Sequence, residues 1–291
     1  MKRVTPALLR RMPLPQPRGD ADKEARGRAL VVGSSLCSPG AAVLSGLAAL
    51  RSGAGKVRVA MPRSLAAAML IAMPEAGVLA LPETRRGDPA RASGGPIAAA
   101  LAGTDAALIG PGLTDERAAH ALVRAVLARA AGPQFVIDGV ALTGLWRASA
   151  VVAKHARKLV ITPHAGEMAA LTGLTKAQVL ADAPGIAGRV AKHLGCLVVL
   201  KGADTFIVQP AGSGFVHRGG VAGLGTAGSG DVLAGLMVGL MARGATALQA
   251  ALWAVHVHAR AGRVLSRRVG PLGFLARELL AEIPALLNAL G

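Results

Sequence analysis

The chain of 291 residues contains no tyrosine, four phenylalanines and two tryptophans, so aromatic side chains make up 2% of it. That supply is too small to stack unpaired bases, and no run of Lys or Arg exceeds two residues. Both absences exclude nucleic acid as the expected partner, although 33 basic residues against 16 acidic ones give a formal charge of +17. The surplus reads first as solvated Arg and Lys on surface faces, and second as a field that attracts anionic ligands. Cysteine is scarce as well. Cys37 and Cys196 stand far apart and outside any metal-type spacing, which points away from a disulfide framework and toward a reduced, cytoplasmic setting. The least charged stretch, residues 219–242, holds Asp231 and too many glycines for a lipid-facing helix. The apolar triplet Ala7–Leu9 is far too short for a signal peptide. No membrane is expected.

Glycine, by contrast, is abundant, at 38 residues. Residues 1–28 carry Pro6, Pro13, Pro15 and Pro17 and read as a basic N-terminal arm with one helical turn near Ala7–Arg11. Residues 29–291 read as one α/β domain, long enough to bury a sizeable core. Strand-length apolar runs at Ala29–Val32, Lys56–Ala60, Ala106–Ile109, Phe135–Ile137, Leu159–Ile161 and Cys196–Leu200 alternate with amphipathic segments such as Ala41–Arg51, Glu116–Ala131 and Gly185–Leu194. That alternation predicts crossover units, hence a mainly parallel central sheet with helices on both faces. From Ser229 the pattern becomes helix after helix: 229–243, 247–267 and 273–289. Ligands of such sheets sit beyond the carboxyl ends of the strands. There the sequence places Gly33-Ser34, Gly110-Pro111-Gly112, Asp138, Thr162-Pro163-His164 and Lys201-Gly202.

The most informative segment is Gly223-Leu224-Gly225-Thr226-Ala227-Gly228-Ser229-Gly230-Asp231-Val232-Leu233-Ala234-Gly235. Glycines let the backbone approach a ligand closely and line an anion site with N–H groups. The helix that starts near Ser229 adds free amides and its dipole. A carboxylate beside such a site is placed to take a proton from an attacking hydroxyl, the second part that phosphoryl transfer needs. The plainer alternative is that Ser229 or Asp231 only caps the helix. No Lys-Ser or Lys-Thr follows the glycines, so this is not a Walker A loop, and no early strand precedes them as in a dinucleotide fingerprint.

The run Gly225–Asp231 with Val232-Leu233-Ala234-Gly235 resembles the signature of the ADP- or ATP-dependent NAD(P)H-hydrate dehydratases, ribokinase-like enzymes that repair hydrated nicotinamide cofactors. Four further segments agree in order and spacing: Gly33-Ser34 with Pro39-Gly40-Ala41, Ile109–Leu113, Ile161–Glu167 and Val199–Thr205. The resemblance spans about residues 5 to 285. It implies a ribokinase-like fold and dehydration of the S-epimer of hydrated NADH or NADPH (NADHX, NADPHX), releasing AMP and phosphate. Asp231 is then the catalytic base and a substrate contact, joined at the substrate by Ala41, Gly112 and His164. The nucleotide falls to Lys201, Gly202, Ala203, Asp204 and Thr205 with Gly228, Ser229 and Gly230, and Glu167 matches an acidic position that organises magnesium through water. ADP is the expected donor, with ATP as the alternative, because an Ala-, Gly- and Arg-rich chain suggests a bacterial genome rich in GC. A homo-oligomer, in many members a tetramer, and a separate epimerase protein are also implied.

Without the resemblance, several of these residues read more plainly. A His at a strand end is more often structural than functional, and Lys-Gly is an ordinary strand exit. Ala41 starts a helix, Gly112 makes a tight turn, and Glu167 suits a first helical turn. His256 and His258, two apart on a helix, point to different faces and make a poor metal pair. One departure is chemical. The family usually carries a second Asp two residues after the position of Asp138, where this chain has Val140. Asp138-Gly139-Val140 is nearer the Asp-Pro-Val of hydroxymethylpyrimidine kinases. The alternatives are therefore a small-molecule kinase of the same superfamily and a non-catalytic nucleotide-binding protein.

Overall fold

The computed structural model describes residues 1–16 and 22–290. Residues 17–21, inside the expected arm, and Gly291 lie outside that description. Ten strands form one sheet: β1 (Lys2–Arg3), β2 (Arg28–Val32), β3 (Lys56–Pro62), β4 (Gly77–Leu81), β5 (Ala106–Ile109), β6 (Gln134–Ile137), β7 (Leu159–Ile161), β8 (Leu197–Leu200), β9 (Thr205–Val208) and β10 (Gly214–His217). Their order is β1-β10-β9-β8-β7-β6-β5-β2-β3-β4. From β8 to β4 every pair is parallel; β9 is antiparallel to both of its neighbours. The parallel part needs crossovers, and the expected helices supply them.

The parallel strands are buried on both faces, as period-2 alternation shows. Val31, Leu108, Val136 and Val160 enter one core with the helices Ala41–Arg51, Ser229–Ala242, Ala247–Arg268 and Ala276–Asn288. Leu30, Val32, Ala107, Ile109, Phe135, Ile137, Leu159 and Ile161 enter the other, against Glu116–Arg129 and Ala183–Leu194. Six strands stand within a residue or two of their expected bounds. Four were not expected. β4 is half-exposed, while β1, β9 and β10 form an edge of mixed direction, β1 parallel to β10 and β10 antiparallel to β9, whose short segments carry polar residues and no long apolar run.

The arm does not hang free of the domain. β1 pairs with β10, Leu9 is fully buried, and the Trp253 indole N–H donates to the Met12 carbonyl at 2.8 Å. The Ser229–Ala242 helix is the most enclosed of the described helices, with every residue from Val232 to Ala242 buried. It lies against Ala41–Arg51 at backbone contact. A Cβ on Gly235 would stand 2.2 Å from the Ser45 carbonyl oxygen, and one on Gly239 would stand 2.6 Å from that of Ala49. Glycine four residues apart is what lets these helices meet. None of the described helices is long and apolar enough to cross a membrane.

Candidate active site

Parallel strands end side by side, so the residues just past them share one rim: Gly33 after β2, Gly110 after β5, Asp138 after β6, Thr162 after β7 and Lys201 after β8. The backbone turns sharply here. Gly110 has φ 129°, and a Cβ there would stand 1.9 Å from the Asp138 carbonyl oxygen. Ser34 is the non-glycine residue with positive φ among those described, at 65°. Its hydroxyl donates to the Pro39 carbonyl and accepts from the Ala42 amide, contacts that hold a conformation costing about 1–3 kcal/mol. Ala41 and Gly112 adjoin one another across this turn, since a Cβ on Gly112 would meet that of Ala41 at 2.7 Å.

A charged cluster occupies the centre. Lys201 Nζ donates to Asp138 Oδ1 at 2.8 Å and lies 3.7 Å from Glu167 Oε2. Thr162 donates to the same Asp138 oxygen at 2.6 Å. Burial alone would lower the Lys201 pKa, but Asp138, Glu167 and Asp231 together outweigh it and hold the ammonium above its ordinary range. The amide of Lys201 donates to the Pro163 carbonyl at 2.8 Å, which fixes its place beside His164. His164 caps the helix Ala165–Thr172: its Nδ1 accepts from the amides of Gly166 and Glu167. In the neutral ring the proton therefore sits on Nε2, on a side chain 58% exposed. Glu167 completes the capping box by accepting the His164 amide at 2.8 Å. The plain first-turn role thus holds for Glu167, alongside its place near Lys201.

Asp231 lies in the first turn of the Ser229–Ala242 helix, where neither it nor Ser229 caps. The cap position is Gly228, in left-handed conformation at φ 87°. The amides of Gly230 and Asp231 find no acceptor in the described fold, so they remain free donors with the dipole behind them. Lys201 Nζ is 3.4 Å from where a Cβ of Gly230 would be. One cation and two open amides converge, an anion site by construction. The Asp231 carboxyl is pushed up to about 7, by burial first and then by Asp138 and Glu167, with Lys201 opposing. Ser45 donates to the Asp231 carbonyl at 3.0 Å and ties it to the Ala41–Arg51 helix.

A cavity of about 720 Å³ opens from this anion site. Its wall includes His164, Lys201, Gly202, Ala203, Thr205, Ser229 and Gly230 from the expected set. Ala41, Gly112 and Asp231 stand outside it, on the Asp231 side of the glycine turn. Two expected nucleotide positions do not line it. Gly228 packs toward Leu44 and Ala276, and Asp204 faces Arg218 at 3.7 Å. Asp138, treated in the sequence only as a landmark, turns out to be the partner of Lys201; its signal was a lone Asp ending a strand at the ligand edge. Val140 is partly buried against the core. His258 donates from Nε2 to the Ser229 carbonyl at 3.0 Å and braces the turn.

The described residues hold no group of three or more His, Cys, Asp or Glu able to bind a metal by themselves. A single carboxylate beside an anion site does suit magnesium that arrives on phosphates and keeps most of its waters.

Comparison with known proteins shows the family. Residues 29–285 match the profile of the NAD(P)H-hydrate dehydratase family. An ADP-dependent (S)-NAD(P)H-hydrate dehydratase from Xanthomonas campestris is 49% identical over 290 residues, covering 100% of this chain and 97% of that protein. A bifunctional NAD(P)H-hydrate repair enzyme from Moorella thermoacetica is 36% identical over 99% of this chain, which spans 54% of that longer protein. The crystal structure of the Bacillus subtilis ADP/ATP-dependent NAD(P)H-hydrate dehydratase, co-crystallised with ATP and Mg2+, superposes with a TM-score of 0.83 at 26% identity, covering 100% and 99% of the two chains. The ribokinase-like architecture expected from the sequence is thereby supported. By its profile, its overall identity and its fold, this chain belongs to the NAD(P)H-hydrate dehydratase family.

Proposed function

We propose that the protein dehydrates the S-epimer of hydrated NADH or NADPH with ADP as the phosphoryl donor, releasing AMP and phosphate. The observation that carries this reading is Asp231, a carboxyl near pKa 7 set beside two free amides and Lys201. A base poised near the working pH is effective in proton transfer. Asp231 takes the proton of the ring hydroxyl, whose oxygen attacks the terminal phosphorus of ADP. The bond to the bridging oxygen breaks and AMP leaves with those electrons. Phosphate, a better leaving group than hydroxide, then departs from the ring with loss of a ring proton, restoring the dihydronicotinamide.

The amides of Gly230 and Asp231 and the Lys201 ammonium are aimed where charge gathers on the transferring group. The cavity along Gly202, Ala203 and Thr205 takes the nucleoside end, and Ala41, Gly112 and the Nε2–H of His164 orient the nicotinamide. Glu167 would help hold magnesium through water, and the ion would supply charge neutralisation at the phosphates. A cytoplasmic setting and a homo-oligomer belong to the same reading, as does an epimerase that supplies the S-epimer. Leu70 and Ile71, 51% and 85% exposed, present apolar surface of the kind that subunit contacts cover.

Growth of dihydronicotinamide absorbance with hydrated NADH, Mg2+ and ADP tests the assignment, with ATP in parallel. Phosphorylation of a small alcohol in place of that growth would move the protein to the kinase alternative. Nucleotide binding with neither reaction would leave a binding protein.

A further inference from the structure

His217 ends β10, on the antiparallel edge that the sequence did not reveal, and is only 4% exposed. Imidazole nitrogens so deeply placed are normally hydrogen-bonded, yet, while the His217 backbone pairs with Thr205 in the ladder, none of the described side-chain hydrogen bonds involves its ring. The ring packs edge to face with His256 at a centroid distance of 5.3 Å, and the residue lines the 720 Å³ cavity. His256 behind it is enclosed, with neither nitrogen partnered. The His217 nitrogens are not among the fully enclosed unpartnered atoms, so their open side is the cavity.

The place of this ring on the wall indicates what it meets. The glycine turn brings Ser229 and Gly230 and the end of β8 brings Lys201, and these suit phosphate. His217 comes from the β9–β10 flap, in register with Thr205, and the wall shared with it includes Val221, Leu224, Val255 and Ala259. Apolar walls with one uncharged polar atom suit a planar base better than an anion. Arg263 and Arg3, with burial as the larger cause, push the His217 pKa down to about 4, with Asp204 opposing. The ring therefore stays neutral at working pH and offers one donor and one acceptor.

We propose that His217 is the base-reading residue of this cavity: its free ring nitrogen hydrogen-bonds the amino-bearing edge of adenine and sets the preference for an adenine donor. The inference rests on the nucleotide reading of the cavity given above. A buried imidazole left unpaired by a base with no polar group at that edge makes the wrong nucleotide costly, which is how a hydrogen-bonding pocket discriminates.

Titration calorimetry of the full chain with ADP and with purine riboside 5′-diphosphate, whose base carries hydrogen in place of the amino group, tests it. Wild-type protein is expected to favour ADP. His217→Phe keeps the ring volume without nitrogens and is expected to weaken ADP about ten-fold while leaving the purine analogue within two-fold, so the preference collapses. His217→Gln should restore part of the preference. His217→Leu gives the same readout should the Phe variant fold poorly. Unchanged ADP affinity in folded variants, or equal losses for the two nucleotides, would overturn the inference. The titration uses no hydrated nicotinamide. A protein that binds ADP but lacks dehydratase activity would sink the proposed reaction and leave this result intact.

Discussion

In the proposed reaction Asp231 and Lys201 carry the chemistry at the scale of single residues. A base with pKa about 7 must be ionised to act, so kcat/KM should rise as pH climbs through 7 and level off above it; a pH–rate profile shows this. Asp231→Asn should lose about three orders of magnitude in kcat, within the usual range for a lost general base. The same shift has a stability cost. Between the unfolded value near 3.8 and the folded value near 7, the native state holds a proton that the unfolded state has released. Native stability therefore falls across that window as pH rises. Asp231→Asn should raise the melting temperature relative to wild type at pH 8 and much less at pH 4, as calorimetry at the two pH values will show. Lys201→Met removes the cation that opposes the Asp231 shift, so any residual activity should have its acid limb displaced to higher pH. It also leaves Asp138 buried without its partner, a loss of about 3–5 kcal/mol, measurable by denaturant unfolding. The glycines around Asp231 made it legible in the sequence, whereas Lys201 read as an ordinary strand exit and gained a nucleotide role only from the family resemblance. The ion-pair partner of Lys201 was not legible, because β6 and β8 are joined only through β7 in space, and Asp138 and Lys201 lie 63 positions apart.

Among the elements, the contact between the Ala41–Arg51 and Ser229–Ala242 helices decides where Asp231 stands. Gly235 stood in the quoted signature, but the reason for a glycine there, and for Gly239 one turn on, was not legible. Only the packed pair shows the Ser45 carbonyl where a Cβ of Gly235 would fall. Gly235→Ala should gain the usual helix propensity of under about 1 kcal/mol and lose about 3 kcal/mol to overpacking. The net is a lower melting temperature, together with a fall in kcat, because Ser45 is tied to the Asp231 carbonyl. Long apolar runs with a clear period gave away the central strands and helices. β9 and β10 escaped notice because an antiparallel edge half in solvent needs only short, mixed segments.

For the whole molecule, a charge of +17 surrounds a site built for anions. Raising salt shortens the Debye length from about 10 Å at 0.1 M to about 3 Å at 1 M. KM for ADP should then rise several-fold while kcat changes little, and initial rates across a KCl series will show it. The buried Lys201–Asp138 pair, by contrast, is shielded from that screening. By itself the sequence determined the α/β class, the parallel core and the position of the anion turn. Those follow from local periodicity and from backbone freedom at glycine, which are written residue by residue. Only the tertiary structure decided that the N-terminal segment completes the sheet edge, that Asp138 holds Lys201, and that the His217 ring lines the 720 Å³ cavity without a hydrogen-bond partner among the described residues. Each of these is a meeting of segments far apart in the chain, and burial and hydrogen bonding become defined only when such segments are brought together.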